Sequence, residues 1–119
     1  IGGRLHLHSV IRSNDMMLGC PFDTIGFALL QCMLAQKLGV IAGVYTHTIS
    51  NAHIYENHYA GAEEIITRTN DHKNITLHLP ENAFDRAEKK DEAIVEEIFT
   101  DLQSQYNPLP PITGLEIAL

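Results

Sequence analysis

The segment TIGFALLQCMLAQKLG, residues 24–39, constrains the fold more than any other part of the chain. Ile25, Phe27, Ala28, Leu29, Leu30, Met33, Leu34, Ala35 and Leu38 leave few polar breaks, so a helix built from it is apolar on most sides and has to be buried on most sides. Asp23 or Thr24 is a good N-cap and Gly39 a good C-terminal stop, which predicts a helix over residues 25–38. A membrane span takes about 20 apolar residues, and no run in the chain approaches that. Asp23 is the awkward residue at the mouth of this helix. A carboxylate is expensive to bury without a partner, although the N–H groups of a helix start favour an anion.

The remaining composition narrows the class. The 119 residues suffice for one domain, residues 1–119, with one core. Hydrophobic residues at 45% and charged residues at 19% describe a globular chain. A net charge of −7 argues against nucleic acid or a membrane surface as partner, since phosphate backbones demand a basic face. It leaves room for a small anion held by one or two local arginines. Cys20 and Cys32 lie in apolar surroundings without CxxC spacing, and read as reduced, buried thiols of a cytoplasmic protein. No signal peptide is visible.

Around the apolar helix the patterns are mixed. Residues 4–12 alternate as a strand, with Leu5, Leu7 and Ser9 on one face and His6, His8 and Val10 on the other. Residues 13–21 read as a loop, with Gly19 and Pro21 as breakers. Residues 43–50 are rich in β-branched side chains and read as a strand, residues 51–68 as a helix, and residues 74–80 as a strand. Residues 88–99 read as an acidic surface helix, residues 106–114 as a Pro-rich extended turn, and residues 114–119 as a short strand or tail. The class is α+β.

Three constellations carry chemistry. Seven histidines suggest a metal, but no HExxH or Cys/His pair accompanies them, and no metal site is expected. Arg12-Ser13 offers a guanidinium fork and a hydroxyl, which suit a phosphate monoester, although a plain surface arginine fits the same pattern. His53 and Tyr55 stand two apart where a strand gives way to a helix, placed to share a hydroxyl ligand or simply to pack. There is no P-loop and no GxGxxG.

Three stretches occur together in one family. RSND…LGCPFDTIGFALL, HTISNAHIYENH and YNPLPP resemble the C-terminal half of the thymidylate synthases and the related pyrimidine nucleotide hydroxymethylases. The likeness runs in order through residues 4–119 and is weakest over 70–105. It implies a twisted sheet backed by helices, a homodimer formed sheet to sheet, a pyrimidine nucleoside monophosphate as substrate and 5,10-methylenetetrahydrofolate as co-substrate. By the same resemblance Arg12 and Ser13 are phosphate ligands, and Asp15 meets base and folate. Gly19 lies where folate packs, His53 and Tyr55 bind the sugar 3′-hydroxyl, and the tail ending at Leu119 folds over the ligands.

The resemblance also gives Asp23 a task, that of reading the pyrimidine edge. Uracil-specific members carry Asn there, and Asp implies a deoxycytidylate hydroxymethylase. An ionised Asp only accepts, which suits the cytosine N4–H2 and a protonated N3. Departures from the family pattern are Ile11 for a Gln, and Ser50 and Asn51 for Gly and Asp. The family's nucleophilic Cys belongs to a Pro-Cys-His segment upstream of Arg12-Ser13, and neither Cys20 nor Cys32 matches it. Three readings stay open: a dCMP hydroxymethylase, a dUMP-methylating synthase, and a nucleotide-binding or dimerising module without the nucleophile. On each of them the 119 residues alone are expected to be inactive.

Overall fold

The computed structural model describes residues 2–70 and 73–117. Strand β1 (Arg4–Asp15) leads into helix α1 (Gly19–Leu38), which returns the chain to strand β2 (Ile41–His53). The two strands pair in parallel, from Arg4 opposite Ile41 to Asp15 opposite His53. Parallel neighbours need a long crossover, and the apolar helix is that crossover. A 3-10 turn (Glu56–His58), α2 (Tyr59–Thr67), α3 (Ala83–Glu88) and α4 (Ala93–Gln105) follow.

Helix α1 ends as expected. Gly39 takes φ 64°, its N–H bonds the Gln36 carbonyl at 3.1 Å, and Val40 N–H bonds the Ala35 carbonyl at 3.0 Å. This is the Schellman closure, which favours a residue without Cβ at the left-handed position. The helix is the middle layer. One side rests on β1 and β2, where Leu5, Leu7, Ser9 and Ile11 alternate inward. The other meets a core of Met33, Ala83, Ile94 and Ile98, joined by Leu29, Leu77, Leu79, Phe84 and Leu102.

Several expectations give way here. The flanks of α1 are open: Phe22 is 78% exposed and Ile25 65%, because two strands and a short helix cannot surround twenty residues. Cys20 and Cys32 are free and half-buried, since both lie on this partly covered helix. Strand β1 continues through Ser13, Asn14 and Asp15 instead of becoming a loop, because β2 continues alongside it. For the same reason residues 51–53 are strand, and the following helix starts only at Tyr59.

The strand expected over residues 74–80 does not form, and among the described residues they pair with no strand. Their polar backbone is met by side chains of α4: Thr76 N–H donates to Gln105 Oε1 (3.0 Å), Gln105 Nε2 donates to the Thr76 carbonyl (2.8 Å), and His78 N–H donates to Asp101 Oδ2 (2.9 Å). The acidic helix over 88–99 is replaced by α3 and α4, separated by Lys90 at φ 59°. Residues 106–114 form no helix or strand, and residues 112–115 pack on α2, where a Cβ at Gly61 would meet Leu115 Cδ2 at 3.0 Å.

Candidate functional site

The carboxyl ends of β1 and β2 and the start of α1 converge at one end of the sheet. Asp15 lies opposite His53, and Met16 N–H donates to the His53 carbonyl at 2.9 Å. In open α/β sheets this is the end where ligands bind. The Asp15 carboxylate accepts from Met17 N–H (3.0 Å, Oδ1) and Leu18 N–H (3.2 Å, Oδ2). Asp15, and not Asp23 or Thr24, therefore meets the unpaired N–H groups ahead of the helix.

Helix α1 starts at Gly19 instead of residue 25, with no side-chain cap. Pro21 does not prevent this, because an N–H in the first turn has no helical partner to lose. Asp23 sits inside the helix and makes no cap bond. Its Oδ2 accepts from Asn14 Nδ2 at 2.8 Å.

The other expected site residues fall as follows. Arg12 is exposed on the face of β1 away from α1, while Ser13 is half-buried on the near face and accepts from Asn51 Nδ2 at 3.3 Å. Neighbours on a strand point oppositely, so these two share the edge of β1 but not a face. His53 and Tyr55 are brought together, edge to face, with ring centroids 5.0 Å apart. Gly19 lies against the same cluster, where a Cβ would meet Asn14 Nδ2 at 3.1 Å. Leu119 lies outside the described residues.

Sequence reasoning missed the polar chain behind Asp23. Asn14 Oδ1 stands 3.1 Å from His47 Nε2. His47 Nδ1 stands 2.5 Å from Tyr45 Oη and 3.1 Å from Ser9 Oγ, which are themselves 2.8 Å apart. The one signal was Ser9, a hydroxyl on the leucine face of β1. Pairing it with His47 requires the parallel register, in which the two are opposite.

The histidines do different jobs. His6 Nδ1 accepts from Val44 N–H at 3.1 Å, His8 Nε2 meets Thr48 Oγ1 at 2.8 Å, and buried His58 donates from Nε2 to the Glu116 carbonyl at 2.7 Å. His72 lies outside the described residues, among which no three metal-binding side chains gather.

The profile of the family described as thymidylate synthase matches residues 1–114. The chain belongs to the thymidylate synthase family. The thymidylate synthase of Clostridium beijerinckii is 48% identical over 69 residues, which are 58% of this chain and 26% of that protein. The crystal structure of thymidylate synthase from T4 phage matches with a TM-score of 0.65 at 25% identity, covering 98% of this chain and 42% of that one. The chain thus spans less than half the length of the thymidylate synthases it matches. At the converging end Ser13 and Asp15 lie at the end of β1, Gly19 opens α1, His53 ends β2 and Tyr55 stands two residues beyond it.

Proposed function

We infer that the polypeptide carrying this chain moves a one-carbon unit from methylenetetrahydrofolate to C5 of a pyrimidine nucleoside monophosphate, and that dCMP hydroxymethylation is its reaction. The observation that carries the choice of base is the 2.8 Å bond from Asn14 Nδ2 to Asp23 Oδ2. It occupies one carboxylate oxygen with a donor and leaves Oδ1 for the ligand. An ionised oxygen can accept from the cytosine N4–H2. Against uracil it faces O4, a second acceptor, and leaves buried polar groups unpaired at about 1–3 kcal/mol.

In this reading Ser13 and Arg12 hold the phosphate across the edge of β1, His53 and Tyr55 take the sugar hydroxyl, and Asp15 and Gly19 border base and folate. A thiolate adding to C6 makes C5 nucleophilic toward the one-carbon unit. Cys20 and Cys32 lie on α1, away from the family's Pro-Cys-His pattern, and are not assigned that role. The active form is a homodimer joined through the sheet face that carries His6, His8, Val10 and Arg12, an isologous contact. Methylation of dUMP is the second reading, favoured by the names of both matched relatives.

The test is Asp23→Asn in the polypeptide at its natural length. An amide offers O4 a donor, so the ratio of kcat/KM for dCMP over dUMP should fall by at least about tenfold, or 1.4 kcal/mol. A wild type that already prefers dUMP, or an unchanged ratio, defeats the cytosine assignment.

A further inference from the structure

We propose that Asn14 and His47 are positioning residues for base specificity: the chain Ser9–Tyr45–His47–Asn14–Asp23 runs in one donor direction and delivers a fixed N–H to Asp23 Oδ2, so that only Oδ1 is presented to the base. This rests on the reading of Asp23 as the residue facing the pyrimidine edge.

The direction follows from the end of the chain. An ionised carboxylate can only accept, so Asn14 must turn its NH2 toward Asp23 and its oxygen toward His47. That oxygen needs a donor, which places the imidazole proton on Nε2. Nδ1 is then a bare acceptor and takes the Tyr45 O–H at 2.5 Å, leaving the Ser9 O–H to donate to Tyr45 Oη at 2.8 Å. Each bond polarises the next toward the carboxylate.

The chain is built in, not draped on the surface. Asn14 is 5% exposed, and Ser9, Tyr45, His47 and Asp23 are half-buried. Ser9 and His47 are opposite each other across the parallel register, so both strands fix the middle of the chain. Gly19 stands one turn before Asp23 on α1, and its missing side chain admits the Asn14 amide, which a Cβ would approach to 3.1 Å. Among the described residues Asp23 Oδ1 takes no protein hydrogen bond, so the carboxylate is held by one oxygen and open at the other.

The consequence is a one-atom specificity switch. Whatever stands at position 23 must give Asn14 an acceptor. Asp does so and shows a second acceptor, whereas Asn would do so and show a donor. If the chain's polarity is reversed, Asn14 turns its oxygen to Asp23, and the carboxylate must either twist away or take up a proton. In both cases the discrimination between N4–H2 and O4 weakens.

The test compares two nearly isosteric side chains at position 47, in the natural-length polypeptide with dCMP, dUMP and methylenetetrahydrofolate. His47→Gln keeps a donor for Asn14 and should retain the dCMP/dUMP ratio of kcat/KM to within about threefold, while His47→Glu, an acceptor, should lower it by at least about tenfold, as should Asn14→Ala. Independently of activity, 15N chemical shifts of the labelled wild-type histidines should show His47 protonated on Nε2. Equal ratios for the Gln and Glu variants, or an Nδ1-protonated His47, overturn the proposal. If Asp23→Asn moves the ratio and His47→Glu does not, base reading stands and the positioning chain falls. If Asp23→Asn leaves it unmoved, base reading falls and takes the proposal with it.

Discussion

Gln31 shows how one side chain repairs a fault in the sheet. Strand β2 holds an extra residue, so that Leu5 faces Ala42 but Leu7 faces Tyr45. A bulge of this kind leaves ladder groups unpaired. Gln31, 3% exposed on α1, donates from Nε2 to the Leu5 carbonyl at 2.7 Å and the Val44 carbonyl at 3.3 Å. Gly43 keeps the bulge close, since a Cβ there would meet the Leu5 carbonyl oxygen at 3.0 Å. Gln31→Leu should leave two carbonyls at the bulge without their side-chain donor and lower stability by about 1–3 kcal/mol, read as a shift in the urea unfolding midpoint. An unchanged midpoint would mean that water reaches those carbonyls.

Between elements, α4 does for residues 74–80 what a neighbouring strand would otherwise do. Asp101 is central: it accepts from the His78 backbone N–H and pairs with the His78 ring at 3.0 Å. The backbone bond, then the ring, hold its carboxyl below the usual 3.8. Arg86 does the same for Asp91 and Glu97 through its side-chain hydrogen bonds. A carboxyl depressed in the folded state stabilises above its unfolded value and loses that contribution as pH falls through the lower, folded one. Thermal stability should therefore drop as pH falls below about 4.5. Asp101→Asn should lower the melting temperature at pH 6 and flatten part of that acid drop. A variant whose acid profile matches the wild type would show that the Asp101 contact adds nothing to the docking of this segment.

Among the described residues one sheet face is left exposed. Arg4, His6, His8, Val10 and Arg12 alternate outward on β1, and Val10 is 67% exposed. If that face joins two copies, Val10 lies inside the contact. Light scattering on the natural-length polypeptide at micromolar concentration should then give a dimer mass. Val10→Glu should shift it toward monomer, because it buries a charge without a partner. A wild-type monomer, or a variant still fully dimeric, would remove this face from the interface.

The sequence by itself determined the pieces whose cause is local. The apolar run with Gly39 dictated a central helix and its end, and period-two alternation marked β1. It also suggested wrong boundaries wherever a distant group supplied the hydrogen bond. Asp15 holds the turn at Met17 and Leu18 ahead of α1, β2 extends β1 through Ser13 and Asn14, and Asp101 with Gln105 meets the backbone of residues 74–80 in place of a strand. Tertiary structure alone decided what Asp23 faces. Its partner Asn14 lies nine residues away, but Asn14 is oriented by His47, thirty-three residues further on, and only the parallel register of two strands brings that pair together. Hydrophobic patterning is written along the chain, whereas the satisfaction of a buried polar group depends on whatever the fold places within 3 Å of it.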